Sequence, residues 1–484
     1  MSNYNLNDTI AAISTSIGES GIGIVRISGK DALTIADKIF VSKDRKKPSM
    51  FRTYTTHYGW IVSSRKPQAA GRLVPQIKSM QLEACSLKQE VIDEVILTVM
   101  RAPKSYTKED IVEINCHGGV VALRRVLDLV LENGCRLAQP GEFTKRAFIN
   151  GRIDLAQAEA VLDIIRAKTD LALKIGMEQL KGVLSQELNK IRQGLLGILS
   201  TLEANIDFPE EETGPLSLEV LLKKLENIHK KLKDILGTSG RARIFREGIN
   251  VVICGKPNVG KSSLLNALLR QERSIVTPLA GTTRDTIEEV IDIKGIPIRV
   301  VDTAGIIEPR DLVEKKAVQR SKRYIGLADL VILLFDGSKR LTEDDEVLIR
   351  KLKKKTTVAV INKIDLKQNI QRRKILRIFR YVVDISAKKF TNIKLFEDTI
   401  ADLVYNGQVS SAEPMFLSNL RHIEAMQKAG KLILEATQGL DNKLPIEFIA
   451  QDIKEALTYL DEVLGKSFSE DLLDKIFSEF CIGK

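Results

Sequence analysis

Apolar runs that stop at polar or glycine-containing segments recur through the middle of the chain. The clearest is 249–254, which is followed by a glycine-containing segment at 255–262 and by a helical pattern at 263–269. Further short apolar runs predict strands at 297–301, 357–361 and 381–385. Buried strands that alternate with helical segments are typical of an α/β sheet. We therefore expect an α/β domain in this part of the chain.

The first part of the chain has a different pattern. Short β-type runs predict strands at 10–14, 22–27, 54–62 and 90–100. Amphipathic segments at 31–40 and 121–133 are typical of helices. The mixture predicts an α+β domain at the amino terminus.

From residue 153 the periodicity becomes helical for about ninety residues. Apolar residues spaced by three and four between Leu173 and Leu202 predict the buried face of one long helix, and a second helix is expected at 216–236. Helical pattern resumes at 417–436 and 445–464. We therefore expect the α/β domain to be inserted into one helical domain whose two halves meet in space. The predicted division is 1–122, 123–246, 247–407 and 408–484.

The composition fits ordinary packed domains with an excess of positive charge. The 484 residues are 44% hydrophobic, and 74 Lys and Arg against 63 Asp and Glu give a net charge of +11 and a pI near 9.2. That excess is compatible with a nucleic-acid partner and equally with a lysine-rich proteome. Basic runs at 350–355 and 367–380 are typical of solvated helix faces and do not by themselves locate a binding groove.

The cysteines and the absence of long apolar runs bear on the compartment. Five scattered cysteines without a C-x-x-C pair indicate neither a disulfide framework nor a zinc site. No apolar run has the length of a membrane span, and the first residues resemble neither a signal sequence nor a transit peptide. We expect a cytoplasmic protein without a membrane partner.

The segment 255–262 fits the phosphate-binding pattern G-x-x-x-x-G-K-[ST] between a strand and a helix. Its glycines let backbone N–H groups turn towards a triphosphate, Lys261 can reach the β- and γ-phosphate oxygens, and Ser262 can bind Mg²⁺. Asp302 offers a carboxylate to the metal, and Gly305 offers an N–H group to the γ-phosphate.

A second motif indicates which nucleobase the site binds. Asp365 ends the sequence N-K-I-D at 362–365, where its carboxylate can accept hydrogen bonds from N1 and N2 of guanine. Adenine lacks that pair of donors, so the predicted nucleotide is GTP. The expected GTP contacts are Asn258, Val259, Gly260, Lys261, Ser262, Ser263, Asp302, Gly305, Asn362, Lys363, Asp365, Ser386, Ala387 and Lys388.

Many GTPases have a glutamine directly after D-T-A-G that orients the attacking water, and this sequence has none at that position. Ile306 follows the D-T-A-G motif at 302–305, and an apolar side chain cannot orient water. The sequence leaves three sources of help open. They are a carboxylate within 308–314, a monovalent cation held by Asn258 and the segment 277–285, and an external activator.

The segment 105–113 and the following His117 stand out in the amino-terminal region. A histidine beside two glycines at a strand end can act as a catalytic base, and more often it caps a turn. We favour the cap.

Taken together, these motifs resemble the MnmE family, also called TrmE, of tRNA-modification GTPases. The resemblance rests on G-T-T-R-D at 281–285, the D-T-A-G motif, 105–113 with His117, 140–148, 154–160 and the final F-C-I-G-K at 480–484. It extends over essentially the whole chain. The amino-terminal runs and the C-I-G-K tail are the specific features, since other GTPases share the nucleotide motifs.

The resemblance implies a multidomain fold and a partner. The expected fold has an α+β tetrahydrofolate-binding-like amino-terminal domain that forms a homodimer, an all-α helical domain and an inserted α/β P-loop (Ras-like) GTPase domain. With an FAD-containing partner that uses NADH, in a heterotetramer, the family adds an aminomethyl or carboxymethylaminomethyl group to C5 of the wobble uridine of tRNA. The one-carbon donor is 5-formyl- or methylene-tetrahydrofolate. Potassium activates GTP hydrolysis when two GTPase domains meet.

The resemblance also implies residue roles. Folate contacts correspond to Arg26, Glu113, Arg152 and Lys484, with Arg152 standing where the family has lysine. The potassium ligands correspond to Asn258, Thr277, Leu279 and Thr282, and the magnesium ligands to Ser262 and Thr283. The implied catalytic residues are Glu314, which orients water, Lys261 and Cys481.

Two alternatives stay open at this point. Cys481 is a candidate nucleophile towards a uracil ring, and a structural or redox-bystander role explains it equally well. A lipidation signal is disfavoured because the final lysine is unusual for C-a-a-X. The alternative function is a GTP-dependent ribosome-assembly or RNA-binding switch without modification chemistry, which would leave the folate-type residues and the tail unexplained.

Overall fold

The computed structural model describes residues 7–63, 90–207, 217–237, 239–271, 289–301, 328–405 and 419–484, with the single residues Gly326 and Leu417. The chain divides into two compact units. One contains Met1–Glu159 and Leu464–Lys484, and the other contains Ala160–Val463.

The described strands are numbered in chain order. They are β1 (Ile10–Ile13), β2 (Gly23–Ser28), β3 (Phe40–Ser42), β4 (Thr55–Ser63), β5 (Glu90–Met100), β6 (Ile111–Cys116), β7 (Arg136–Leu137), β8 (Ile249–Cys254), β9 (Glu289–Ile293), β10 (Ile296–Val301), β11 (Leu330–Asp336), β12 (Thr357–Asn362) and β13 (Tyr381–Asp384).

The described helices are numbered in the same way. They are α1 (Ala32–Ile39), α2 (Val120–Glu132), α3 (Glu142–Ile149), α4 (Leu155–Arg166), α5 (Asp170–Leu180), α6 (Val183–Asp207), α7 (Leu218–Gly237), α8 (Ser239–Glu247), α9 (Lys261–Gln271), α10 (Glu343–Leu352), α11 (Arg372–Leu376), α12 (Ile393–Tyr405), α13 (Leu420–Asp441), α14 (Ile446–Leu464) and α15 (Glu470–Ser478). Among them, none is both long enough and apolar enough to cross a bilayer.

The first unit is built on a sheet with strand order β3-β4-β5-β6-β2-β1-β7. Its neighbours are antiparallel except for the parallel pair β1–β7. One face packs against α1 and α2 in a core that includes Val25, Ile27 and Leu123. The other face buries Ile10 against Phe143 of α3. The sheet therefore presents residues of β2 and β6 to two different layers.

Helix α2 confirms the helix expected at 121–133. Its buried residues Leu123, Val126 and Val130 belong to the core of the amino-terminal sheet. The boundary expected between residues 122 and 123 therefore falls inside a helix that packs on this sheet. The four-segment domain division itself stays a prediction.

A buried arginine fastens α3 to this unit. Arg146 is 1% exposed and donates to the backbone oxygen and carboxylate of Asp8 at 2.9 and 2.6 Å. It also contacts Glu109 at 3.1 Å and Glu142 at 3.1 Å. Burial opposes ionisation of Asp8, but hydrogen bonds from Arg136 and Arg146 outweigh that effect and lower its pKa. A buried guanidinium is tolerated at this position because carboxylates surround it.

The second unit contains a sheet with order β13-β12-β11-β8-β10-β9. All neighbours are parallel except β9–β10. Strands β11 and β12 are buried along their whole length because helices cover both faces, as parallel sheets require. Residues of α9 and α12 pack on one face, and residues of α10 and α11 pack on the other. This confirms the inserted α/β domain.

The single helix expected from Leu173 to Leu202 is wrong. The structure has two helices, α5 and α6, separated by Lys181 and by Gly182 at φ +82°. A residue in the left-handed region ends a helix. Leu173 and Met177 are 41% and 40% exposed, so the stripe is buried only from Leu184 onwards. The spacing of apolar residues continues across the break, which is why periodicity did not reveal it.

The two halves of the helical region meet, as the sequence predicted. Arg192 of α6 forms two hydrogen bonds with Asp461 of α14, at 2.5 and 3.2 Å. Helix α13 packs on α7 so closely that a Cβ at Gly430 would lie 3.4 Å from Leu232. The helices that precede and follow the inserted α/β domain in the sequence are thereby held in contact.

The turn between β9 and β10 contacts the helical region. Thr169, at the start of α5, donates to the backbone oxygen of Gly295 at 3.1 Å. Gly295 has φ +84°, and a Cβ there would lie 3.0 Å from Leu171. Tyr405 donates to the backbone oxygen of Lys294 at 3.1 Å. This turn is therefore held from both the helical and the α/β side.

Candidate functional site

The predicted phosphate-binding loop lies between the carboxyl end of β8 and the start of α9. Gly255, Asn258 and Gly260 have φ of +147°, +63° and +102°. A Cβ at Gly255 would lie 2.6 Å from the backbone oxygen of Leu334. Glycine is therefore required where the loop passes β11, because only glycine combines this conformation with so close an approach.

Lys261 lies over its own loop. Its Nζ donates to the backbone oxygens of Gly255 and Lys256 at 2.9 and 2.8 Å. Burial lowers the pKa of Lys261. Ser262 and Ser263 follow in the first turn of α9, whose amino-terminal N–H groups and dipole favour an anion. The described part of the loop is therefore suited to the phosphate groups of a nucleotide.

Asn362 joins three segments of the predicted nucleotide site. It is 3% exposed at the end of β12, and its Nδ2 donates to the backbone oxygen of Val259 at 2.9 Å. Its Oδ1 accepts from the backbone N–H groups of Lys363 and Ala387 at 2.8 and 3.0 Å. The phosphate-binding loop and the segment 386–388 are therefore positioned by one side chain.

Lys363 extends that link to an aspartate that sequence analysis missed. Its Nζ lies 2.6 Å from Asp336 Oδ2 and donates to the backbone oxygen of Asn258 at 2.7 Å. Burial opposes ionisation of Asp336, but hydrogen bonds from Lys363 and Ser338 outweigh it and lower the pKa. The signal was available in the sequence, since Asp336 ends an entirely apolar run at 330–335.

Asp365 is held by the other predicted base-binding segment. Ser386 Oγ donates to Asp365 Oδ1 at 2.6 Å. This hydrogen bond lowers the pKa of Asp365. The carboxylate is thus ionised and fixed in orientation, which suits it to accept two N–H groups of guanine. Lys388 is exposed at the end of the same segment.

Part of the predicted site lies outside the described residues. This applies to Thr277, Leu279, Thr282, Thr283, Asp302, Gly305 and Glu314. Asn258 is exposed at the phosphate-binding loop.

The predicted folate residues Arg26, Glu113 and Lys484 lie together in the first unit. Arg26 on β2 faces Glu113 on β6 in register, and its Nε donates to Glu113 at 2.7 Å. Its Nη1 donates to the backbone oxygen of Gly483 at 3.2 Å. The backbone N–H of Phe143 donates to the backbone oxygen of Lys484 at 3.2 Å. Residues far apart in sequence thus form one cluster.

Two aromatic residues complete this cluster, and sequence analysis missed both. The Tyr106 ring centre lies 4.7 Å from Arg152 Cζ and 6.0 Å from Arg26 Cζ. The Phe143 ring lies 5.6 Å from Arg26 Cζ. Burial raises the pKa of Tyr106, whose hydroxyl lies 2.9 Å from Thr144 Oγ1. Both rings occur in the runs 105–113 and 140–148, where the charged residues are the more conspicuous candidates.

The tail that carries Cys481 is tied to the start of α3. Cys481 is exposed, and its backbone oxygen accepts from the N–H of Gly141 at 3.4 Å. Gly483 has φ +95°, and a Cβ there would lie 2.3 Å from the backbone oxygen of Ile13. The glycine of the C-I-G-K tail is therefore required for close packing against β1.

His117 is paired rather than capping. Asp93 on β5 accepts from the backbone N–H of His117 at 2.9 Å and lies 2.6 Å from its ring Nδ1. The hydrogen bond to Asp93 raises the pKa of His117. The side chain that caps the end of β6 is therefore Asp93, so the expected role of His117 as the cap is wrong.

A phosphate-binding loop and a guanine-type N-K-x-D motif at the carboxyl ends of parallel strands in one sheet define a P-loop GTPase. Two family models match the chain. "GTP-binding protein TrmE N-terminus" matches residues 9–152, and "MnmE helical domain" matches residues 155–481. The chain belongs to the MnmE family.

Full-length relatives carry the same family name. The tRNA modification GTPase MnmE of Alkaliphilus oremlandii is 44% identical over 481 residues, which are 99% of this chain and 100% of the relative. That of Carboxydothermus hydrogenoformans is 45% identical over 482 residues, with the same coverage. Among solved structures, Era bound to MgGDPNP and a 16S ribosomal RNA fragment has a TM-score of 0.26 and 30% identity, covering 38% of this chain and 66% of that one.

Proposed function

We propose that this protein hydrolyses GTP to drive modification of tRNA. With an FAD-containing, NADH-using partner, it adds an aminomethyl or carboxymethylaminomethyl group to C5 of the wobble uridine. The observation that carries the proposal is the pairing of a guanine-nucleotide site with a separate cluster of Arg26, Glu113 and Lys484 in one chain. A GTP-dependent switch needs only the first of these sites.

The GTP site works by positioning and by stabilising charge. Water attacks the γ-phosphorus in line, the bond from that phosphorus to the β–γ bridging oxygen breaks, and GDP leaves with the bonding electrons. A proton of the attacking water passes to an oxygen of the released phosphate. Lys261 stabilises negative charge on the β- and γ-phosphates. Ser262 and Thr283 would hold magnesium, which would neutralise negative charge on the phosphates. Asp365 selects guanine, because its ionised carboxylate accepts from N1 and N2.

We propose that Glu314 orients the attacking water and that a potassium ion, when bound, would supply positive charge at the phosphates. Asn258, Thr277, Leu279 and Thr282 are the proposed potassium ligands. The need for such groups follows from Ile306, which occupies the position after D-T-A-G and offers no hydrogen bond to water.

The second cluster suits a tetrahydrofolate that donates one carbon. Glu113 offers a carboxylate to the N–H groups of a pterin, and Arg26 and Arg152 offer planar guanidinium groups to carboxylates or rings. Arg152 stands where the family has lysine, and its stacking on Tyr106 at 4.7 Å is a contact that favours the planar group. We propose Arg26, Glu113, Arg152 and Lys484 as folate contacts. Homodimer formation through the amino-terminal domain is part of this proposal.

We expect Arg26→Gln to weaken binding of 5-formyltetrahydrofolate about tenfold or more, since hydrogen bonds to charged groups contribute about 1.5–3 kcal/mol. Isothermal titration calorimetry measures the affinity. Arg125→Gln is the matched control, because Arg125 pairs with Glu90 in the same unit and belongs to no proposed site. GTP turnover should stay unchanged in both variants. Equal folate affinity in wild type and Arg26→Gln would remove Arg26 from the site.

Complementation tests the overall function. In a bacterial strain that lacks its own MnmE-family gene, we expect wild-type protein to restore the C5-modified wobble uridine and Lys261→Ala to fail. Nucleoside digestion of total tRNA followed by mass spectrometry gives the readout. Lys224→Ala, at an exposed position on α7, serves as the control. If deletion of the gene that encodes this protein leaves the tRNA nucleosides unchanged in its own organism, the ribosome-assembly switch is the better explanation.

A further inference from the structure

The two basic runs of the α/β domain contain no acidic residue. The sequence at 350–355 is RKLKKK, and that at 367–380 is KQNIQRRKILRIFR. In the described structure Lys353, Lys354, Lys355, Arg377 and Arg380 are exposed. We call these five residues the basic edge. The sequence alone suggests solvated helix faces, but it does not say whether the runs meet.

The structure brings the two runs to one place. Strand β12 pairs with β13 in parallel, and Val358 lies opposite Tyr381. Residues 353–355 and 377–380 therefore enter neighbouring strands at the same edge of the sheet. Helix α10 overlaps the first run and helix α11 lies within the second. The two helices share a core that contains Leu352 and Ile375. The five cations thus form one surface from segments about twenty positions apart.

Helix stability accounts for only part of this charge. Helix α10 has acidic residues in its first turn and Arg350 and Lys351 in its last, an arrangement that the helix dipole favours. Lys353, Lys354 and Lys355 lie beyond that last turn, and Arg377 and Arg380 lie beyond α11. The ion pairs that α11 forms, Arg372 with Asp384 and Lys374 with Glu346, do not involve the basic edge.

The basic edge lies away from the nucleotide site. Gly255 and Asn362 lie at the carboxyl ends of β8 and β12. The basic edge lies at the opposite, amino-terminal ends of β12 and β13. A ligand bound there would leave the phosphate-binding loop accessible, so GTP and that ligand do not compete.

We propose that the basic edge binds the phosphate backbone of RNA. Clustered lysine and arginine side chains suit a regularly charged polyanion, and such contacts position a nucleic acid without reading its sequence. A membrane surface fits less well, because Leu376, at 44% exposure, is the one exposed large apolar side chain in the two described runs, whereas an interfacial helix presents a whole apolar face. The choice of RNA over another polyanion rests on the proposed action on tRNA.

Charge reversal tests the proposal. The variant Lys353→Glu/Lys354→Glu/Arg377→Glu should bind a fluorescent, unmodified tRNA transcript about tenfold more weakly in an anisotropy titration. The slope of log affinity against log salt should also fall by about two to three, since about one unit is lost for each phosphate contact. The matched control Lys223→Glu/Lys224→Glu/Lys230→Glu makes the same charge change at exposed positions on α7 and should bind as wild type.

A second set of variants and the GTP turnover rate serve as controls for misfolding. Glutamine at the same three positions avoids acidic charge near a helix end and should give a smaller loss in the same direction. GTP turnover should stay at the wild-type rate in every variant. Equal tRNA binding by wild type and both basic-edge variants would overturn the proposal, and so would an equal loss in the α7 control. If the basic-edge variants lose binding to phosphatidylserine vesicles but still bind tRNA, the ligand of the basic edge is a membrane and the RNA proposal is overturned.

The binding assay uses unmodified transcript and no partner, so it does not depend on modification chemistry. If tRNA binds through the basic edge while deletion of the gene leaves the nucleosides unchanged, the proposed modification function fails and the RNA surface stands. If the nucleosides change while the basic-edge variants bind tRNA normally, the surface fails and the modification function stands.

Discussion

A Gly260→Ala variant is expected to bind GTP about a hundredfold more weakly than the wild type. Gly260 has φ +102°, and a Cβ there would lie 2.2 Å from Asn362 Nδ2. The backbone strain costs about 1–3 kcal/mol. Displacing Asn362 also breaks its buried hydrogen bond to the backbone oxygen of Val259, which costs about 1–3 kcal/mol. The loop can avoid these costs by leaving the conformation that binds phosphate, so a combined cost of about 3 kcal/mol corresponds to roughly a hundredfold in affinity.

Titration of a fluorescent GTP analogue measures this effect. Gly197→Ala is the control, because Gly197 lies within α6 and a Cβ there meets no atom within 4 Å. The control should bind GTP like the wild type and unfold at the same or a slightly higher temperature, since alanine favours a helix. An affinity for Gly260→Ala within about threefold of the wild type would contradict the role of Asn362 as the link between the two motifs.

Loss of the Glu314 carboxylate is expected to slow GTP turnover about a hundredfold while GTP affinity stays near the wild-type value. The reason is chemical, because Ile306 cannot orient water and positioned general bases contribute about 10²–10⁴-fold. Single-turnover hydrolysis by Glu314→Ala gives the rate. Glu308→Ala is the matched control from the same segment and should retain full turnover.

Exchange of K⁺ for Na⁺ at fixed ionic strength extends the same experiment. We expect it to lower turnover in the wild type and to lower the residual turnover of Glu314→Ala as well, because the cation and the carboxylate act on different atoms. Undiminished turnover in Glu314→Ala would show that this residue has no part in hydrolysis. A wild-type rate that is equal in both salts would contradict the proposed potassium site.

The parts of the fold that were predictable depend on local pattern. Strand β8, the phosphate-binding loop and α9 follow one another within about twenty residues, so their order is visible in the sequence. The break at Gly182 was missed because apolar spacing continues across it. A single glycine within a periodic segment does not decide between a tolerated helical glycine and a helix end.

The parts of the site that were missed depend on contacts between distant segments. Asp336 is defined by its contact with Lys363, and Asp93 by its contact with His117. Tyr106 gains its position from guanidinium groups on β2 and beyond α3. Residue type alone did not distinguish Tyr106 from an ordinary core aromatic. Such roles become visible only when the partner of each side chain is known.

The contact between Arg26 and Gly483 joins positions 457 apart in the sequence. During synthesis, the ribosome makes both helical halves and the whole nucleotide domain before Gly483 emerges. Contacts of such long separation form late. The nascent amino-terminal unit therefore lacks the segment 480–484, which packs against β1 and α3, until all the residues between have been made. Completion of the cluster of Arg26, Glu113 and Lys484 is in this way delayed until the helical and nucleotide-binding segments have been made.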